Sequence, residues 1–329
     1  MRQAIRLTAM MIRPPVALLL VLFAAIGLAL GGHPDGLHPL FTTVLLILGG
    51  WFVNATVLND LADEAIDRVN LKNARGRPLV SGEATRTQLL VLGLLAGGVA
   101  LVAAWIVNWR VGTVITVGLF LNVAYSFRPL RLSDRGLIAV ILLPLGYVAL
   151  PFLVGLFSVQ PALGLKDVAI LAGLYISFMG RIVLKDFRDE EGDKLFGKRT
   201  FLIRYGRQHT CIFSATCWIV GVLALIAIPP LQPMTIVVFA AYSGFVLHGL
   251  YLLARAERFE SAQVVISAIA NVGRAMGITL LAHLTMAARG WPLADQALVH
   301  VALASVFVVL YLEIVAQRET VDATALRPF

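Results

Sequence analysis

The sequence predicts an all-α fold, a polytopic transmembrane helix bundle. Three observations carry that expectation. Of the 329 residues, 59% are hydrophobic and only 14% are charged, where a soluble domain averages about 25% charged. Mean hydropathy is +0.86. Apolar runs of about 20 residues, the length that crosses the hydrocarbon core, recur along the whole chain. Backbone groups in lipid must bond within their own element, so each run is read as a helix.

Ten spans are expected, at 14–32, 38–59, 87–109, 111–127, 136–158, 168–186, 208–228, 233–254, 261–288 and 296–316, within one domain covering 1–329. The first follows Arg2, Arg6 and Arg13, as in a signal peptide. No small-residue cleavage site or soluble mature domain comes after it, so it is read as a retained helix. The stretch from Gln208 to Ala254 holds no Asp, Glu, Lys or Arg and is too long for one helix. Pro229, Pro230 and Pro233 place a turn near its middle. Span 261–288 contains Arg274, and an intramembrane ionisable residue is a functional candidate. Asn271 precedes it by three residues and shares its face. Asn54 and Asn122 are further candidates for a polar interior.

A formal charge of +8 could suggest nucleic acid, but its distribution argues against that. Alternate loops, with the N-terminus, hold 23 of the 27 Lys and Arg. This is the positive-inside pattern, which puts both termini and segments 60–86 and 181–207 in the cytoplasm, as expected for a multi-pass protein of the cytoplasmic membrane. Cys211 and Cys217 lie in one apolar span without ligand or disulfide spacing. The six histidines are scattered, and no glycine-rich phosphate motif is present.

Chemistry concentrates in two segments. The first runs from Asn59 through Asp60 and Asp63 to Asp67; the second runs from Lys185 through Asp186 and Asp189 to Asp193. In both, the aspartates fall at i, i+3 and i+7 and would line one helix face. Either cluster alone could be a solvated helix end. Two with identical spacing call for a common explanation, because like charges on one face repel. A hard divalent cation would compensate them, and Mg2+ takes carboxylate and phosphate oxygens. Cations follow each cluster: Arg68, Lys72, Arg75 and Arg77 after the first, Lys194, Lys198 and Arg199 after the second. Acids with nearby cations suit a metal–diphosphate site. A third segment, Tyr125 to Arg135, carries Arg128 and Arg131 around Pro129, which ends a helix.

These motifs resemble those of the UbiA superfamily of intramembrane aromatic prenyltransferases. Asn59-Asp60-x-x-Asp63-x-x-x-Asp67 is similar to its first aspartate-rich motif, and Asp186-x-x-Asp189-x-x-x-Asp193 to its second. Arg77-Pro78-Leu79-Val80-Ser81-Gly82, Tyr125-Ser126-x-x-Pro129-Leu130-Arg131-Leu132 and Lys198-Arg199-Thr200 resemble its accompanying segments. Two departures stand out. Ser133 replaces the usual last Lys of the Tyr-Ser segment, and the family usually has nine spans. Ten implies either an added last helix or an Arg274 segment that does not cross fully.

The resemblance implies a bundle around a central cavity, capped by cytoplasmic loops. It implies transfer of an isoprenyl group from a prenyl diphosphate to an acceptor, often an aromatic ring, with diphosphate released. The expected catalytic and metal-binding residues are Asp60, Asp63, Asp67, Asp186, Asp189 and Asp193, with Mg2+ as cofactor. The expected substrate-binding residues are Asn59, Arg68, Arg77, Tyr125, Arg128, Arg131, Lys185, Lys198 and Arg199. Expected partners are the isoprenyl diphosphate, a small-molecule acceptor and membrane lipid, with no nucleic acid. Two competing readings are a terpene cyclase of the same fold and a small-molecule transporter. Transporters place ionisable groups near the midplane, whereas the acids here sit at span ends.

Overall fold

The computed structural model describes residues 2–32, 39–70, 77–227, 231–256 and 259–324, among which no β-strand occurs. The chain divides into two compact units, Met1–Ala162 with Glu191–Thr200, and Leu163–Glu190 with Phe201–Phe329.

The first unit contains α1 (Arg2–Ile12), α2 (Pro14–Leu30), α3 (Pro39–Asn70), α4 (Arg86–Val107), α5 (Trp109–Ser126), α6 (Leu137–Pro144) and α7 (Leu150–Phe157). Local chemistry sets several of these boundaries. Thr85 and Gln88 form a reciprocal capping box at the start of α4, satisfying amides that a helix start leaves open. A single residue, Asn108, ends α4 and caps α5 by accepting from the amides of Arg110 and Val111, both at 3.0 Å. Between α6 and α7 the backbone widens into a π-helical turn, Leu145–Ala149. Pro144 and Pro151 flank it, and neither has an amide hydrogen to give the helix ladder. In the interior Asn54 donates to the Gly93 carbonyl and accepts from Asn122, both at 3.0 Å. These bonds tie α3, α4 and α5 together.

The second unit contains α8 (Leu165–Ile182), the first turns of α9 (Asp186–Leu195), α10 (Phe201–Ala227), α11 (Pro233–Ala254), α12 (Phe259–Ala288) and α13 (Leu293–Thr324). Helices α8 and α10 pack backbone to backbone. A Cβ on Gly221 would stand 2.6 Å from the Gly173 carbonyl oxygen. Trp218 donates to Ser243 at 3.1 Å between α10 and α11, and His248 meets the Tyr311 hydroxyl at 2.9 Å between α11 and α13.

Each expected span coincides with a helix, and of the nine to ten crossings expected the lower figure is the one the helices reach when the bent first pair counts as one span. Among the described residues eight helices are long and apolar enough to cross a membrane, or nine if α1 and α2, bent by 70°, form one span. The expected span 111–127 is a helix that this count leaves out. Helix α5 has only 18 residues and carries Arg110 and Asn122. The Arg274 segment does qualify, as the 30-residue α12, and so does the last helix. Pro229 and Pro230 of the expected turn lie outside the described residues; Pro233 opens α11. The chain is an integral membrane protein.

The α8–α10 contact generates a stability prediction. Gly221→Ala forces a methyl group against backbone, and overpacking of this kind costs about 1–3 kcal/mol. Gly244→Ala serves as control, since a Cβ there meets nothing within 4 Å. In detergent, Gly221→Ala is expected to melt several degrees below Gly244→Ala; coincident melting curves would contradict the close packing.

Candidate active site

Helix α3 has 32 residues, about 48 Å at the usual rise. That exceeds the roughly 30 Å hydrocarbon core, so its C-terminal third has length to spare for chemistry. There it carries Asp60, Asp63 and Asp67, all three buried.

Burying three carboxylates on one helix is costly unless each is paired, and each is. Arg13 reaches Asp60 Oδ1 at 2.5 Å, and Arg77 pairs with the same oxygen. Arg77 also lies 3.2 Å from Asp67. Asp63 accepts from Asn59 at 3.0 Å and from Arg131 at 3.2 Å. The Lys198 ammonium sits 3.6 Å from Asp63 and 3.6 Å from Asp193. One cation thus links the first aspartate motif to the last aspartate of the second. Four carboxylates (Asp60, Asp63, Asp67 and Asp193) face four cations (Arg13, Arg77, Arg131 and Lys198).

Local backbone geometry aims these cations. Arg13 stands at the bend between α1 and α2 with φ +46°, and Arg131 has φ +34°. Both lie in the left-handed region that disfavours side chains, and both guanidiniums are held by carboxylates, Arg131 by Asp134 as well at 2.9 Å. Gly136, at φ +52°, lets the backbone of Arg199 pass close; a Cβ there would lie 2.6 Å from the Arg199 carbonyl. Past α9 the chain turns at Gly197, φ +70°, and the Lys198 amide bonds the Asp193 carbonyl at 2.8 Å. That turn folds Lys198 back beside Asp193.

On α9 the second motif keeps the expected one-face spacing. Asp186 and Asp193 are buried; Asp189 is half-buried and accepts from Arg188 at 3.0 Å. Not every expected binding residue joins the aspartates. Arg68 turns to Glu64 at 2.9 Å and to the Leu79 carbonyl. Arg128 and Arg199 are exposed, while Tyr125 and Lys185 are half-buried. Lys72 and Arg75 lie outside the described residues. Arg13 was absent from the expected set: it reads as an orientation charge, 47 positions from Asp60.

Among the described residues no three His, Cys, Asp or Glu side chains gather into a ready metal cage. Guanidinium and ammonium groups supply the compensation instead. The donor set nonetheless suits Mg2+. It is all carboxylate oxygen, and Asp60 Oδ2 is buried without a hydrogen-bond partner. Mg2+ binds through one or two carboxylates and fills the rest of its shell with water and phosphate.

Residues 17–272 match the model of the UbiA prenyltransferase family. The chain belongs to that family. Relatives include the bacteriochlorophyll synthase 34 kDa chain of Chloroflexus aurantiacus, 26% identical over 52% of this chain and 54% of that protein. Homogentisate phytyltransferase of Synechocystis is 30% identical over 59% of this chain and 67% of that protein. Digeranylgeranylglyceryl phosphate synthase of Pyrococcus horikoshii is 28% identical over 59% and 66%. The chain thus spans between half and about two-thirds of the length of these relatives. Among solved structures, a UbiA homolog from Archaeoglobus fulgidus bound to DMAPP and Mg2+ superposes with TM-score 0.58 over 94% of this chain and 99% of that one, at 18% identity. A structure concerning digeranylgeranylglyceryl phosphate synthase in membranes gives TM-score 0.66 over 87% and 99%, also at 18% identity. At that identity the likeness establishes the UbiA fold.

The pairing pattern predicts unequal costs for two arginines. Arg77→Ala leaves Asp60 and Asp67 buried with a lost partner, a change of about 3–5 kcal/mol. Arg68→Ala removes a surface pair on one helix, about 0.3–0.5 kcal/mol. Thermal melting is expected to show a large loss for the first, partly restored by millimolar Mg2+, and almost none for the second. Equal melting of the two variants would refute the pairing.

Proposed function

We propose that this chain is a Mg2+-dependent prenyltransferase, acting as a single membrane domain, that moves an isoprenyl group from its diphosphate to an aromatic acceptor and releases diphosphate. The observation that carries the reading is the buried carboxylate cluster at the end of α3, balanced one for one by Arg13, Arg77, Arg131 and Lys198. Diphosphate is an anion of the size and charge to draw such cations off their carboxylates. Arg and Lys donate to phosphate oxygens through short charge-assisted bonds. As Arg131 and Lys198 turn to the diphosphate, Asp63 and Asp193 are left as oxygen donors for the metal, along with Asp60 and Asp67. We assign Asp186 and Asp189 of the matched motif to the same role.

Bound Mg2+ would supply charge stabilisation on the leaving diphosphate. The protein's own cations add to it without any proton transfer, which suits carbon–oxygen ionisation. A membrane-embedded bundle would shelter from water the allylic cation that ionisation leaves. The isoprenoid tail is as apolar as lipid, so a membrane-embedded helix bundle is a reasonable place to hold it. The aromatic acceptor is supported by the resemblance and by the names of relatives such as homogentisate phytyltransferase. The transporter reading is disfavoured because the paired carboxylates cluster at a helix end. A cyclase would share the diphosphate site and need no acceptor.

The test uses purified protein, farnesyl and geranylgeranyl diphosphates and a panel of aromatic acceptors. Chelation should abolish turnover and Mg2+ restore it. Asp63→Ala and Asp189→Ala should each lower the rate about 100-fold or more, as loss of one electrostatic group commonly does, with membrane insertion intact. A cyclic hydrocarbon formed at enzymatic rates from the diphosphate alone would establish the cyclase instead. Sidedness is tested separately. Single cysteines introduced in 60–70 and 181–207 should both label from the cytoplasmic face of oriented vesicles, and labelling from opposite faces would exclude a shared site.

A further inference from the structure

Helix α12 carries a line of polar side chains through an otherwise apolar span. Gln263, Ser267, Asn271 and Arg274 follow at i, i+4, i+8 and i+11, so they occupy one face over about 16 Å. None of the four is fully buried. A lipid-facing stripe has a different composition, and α13 shows it. Only 11% of the α13 span window is buried, and its large exposed side chains from Leu298 to Leu312 are apolar, Val301, Val306 and Val309 among them. Gln, Asn and Arg open on a span face therefore mark a face that meets something polar.

The hydrogen bonds on this face are incomplete in a consistent direction. Arg274 donates to the Asn271 side-chain oxygen, and that neutral amide is its one hydrogen-bond partner among the described residues. A guanidinium has five N–H donors, so most of them are unspent. Asn271 spends its acceptor on Arg274, which leaves its NH2 as donor. The Gln263 Nε2 is buried with no partner. All three groups offer hydrogen, and among the described residues no carboxylate pairs with Arg274. Helix α8 adds a second cation beside this turn. A Cβ on Gly273 would lie 3.6 Å from Cδ of Arg181 and 3.9 Å from the Trp218 ring.

We propose that this face of α12 is an oxyanion-binding site, with Arg274 and Asn271 as its principal donors, and that it selects an acceptor bearing a carboxylate, phenolate or phosphate. The word acceptor rests on the transferase reading above; the anion site itself does not. Arg forms paired hydrogen bonds with carboxylate or phosphate that a neutral ester cannot reproduce. An in-span guanidinium held by one amide is costly when empty, and an anionic head group offsets that cost while its ring stays in apolar surroundings. Specificity built on donors left unpaired by the wrong ligand is strong.

The experiment measures equilibrium binding to the full chain in zwitterionic nanodiscs. Probes are 4-hydroxybenzoate, homogentisate and glycerol phosphate, each beside its neutral ester, with geranyl diphosphate plus Mg2+ as a separate arm. At least one charged probe should bind the wild type and its ester should not. Arg274→Met should weaken that probe about tenfold or more, the scale of a lost charged hydrogen bond. Arg274→Lys should recover part of the binding, and geranyl diphosphate should bind all three proteins alike. Failure of every charged probe on wild type, or Arg274→Met binding as tightly as wild type, overturns the proposal. So does loss of geranyl diphosphate binding in Arg274→Met, which would assign the arginine to the donor substrate. Repeating the melts in phosphatidylglycerol nanodiscs separates a lipid source: stabilisation by that lipid, lost in Arg274→Met and blocking the probes, would replace the acceptor by a lipid head group. If no donor and acceptor pair gives transfer while probe binding follows Arg274, the transferase reading fails and the anion site stands.

Discussion

Three carboxylates buried within about two turns of α3 cannot stay ionised without cations, and the first unit is arranged around supplying them. Arg13 arrives from the bend between α1 and α2, Arg77 from the segment after α3, Arg131 from the loop after α5, and Lys198 from the turn after α9. Each comes from a different stretch of chain, and two of them sit at backbone angles that side chains ordinarily avoid. A left-handed arginine costs on the order of 1 kcal/mol. An unpaired buried carboxylate costs several. The carboxylate therefore sets the conformation, and the loop geometry is a consequence of the charge cluster rather than an independent feature.

The same balance of charge explains why such a cluster suits a diphosphate without being a finished cage for a metal. A preformed cage of carboxylates would repel itself when empty. Carboxylates already matched by mobile guanidinium and ammonium groups are stable when empty and can exchange partners when a polyanion and a cation arrive together. Lys198 embodies this, standing equally far from Asp63 and Asp193 at 3.6 Å. At that separation it is a shared counter-ion, more easily redirected than the Arg77–Asp60 contact. The Asp60 oxygen that no donor reaches keeps its lone pairs for a cation.

The bundle was largely legible in the sequence, because hydropathy over 20 residues is a local property. So was the membership suggested by the two aspartate motifs, whose period places them on helix faces. The partners were less legible. Arg68 follows the first motif directly and looked like a binding residue, yet i, i+4 geometry gives it to Glu64. Arg13 looked like a topology signal, yet it stands beside Asp60 of α3. Contacts 47 and 68 positions apart leave no periodic trace in one sequence. The expected span 111–127 is helical as α5, and its polar residues Arg110 and Asn122, near its two ends, make it less apolar than its neighbours. Arg274 carried the opposite lesson, since one charge did not prevent a 30-residue helix.

Polar groups inside the spans sort by how they are satisfied, and the sorting has functional meaning. Asn54 and Asn122 spend their side chains on each other and on the Gly93 carbonyl, so α3, α4 and α5 are their ligands. Trp218 and Ser243, or Tyr242 and Thr279, likewise close on one another between helices of the second unit. Such pairs are worth about 1 kcal/mol each in a membrane and account for themselves as packing. The α12 stripe does not close. Its donors outnumber its acceptors, its charge has no counter-charge among the described residues, and its face is partly open. Packing between helices accounts for the closed pairs and gives no reason for a guanidinium held by one neutral amide. The deficit is of one sign, and what completes it must bring oxygen and negative charge.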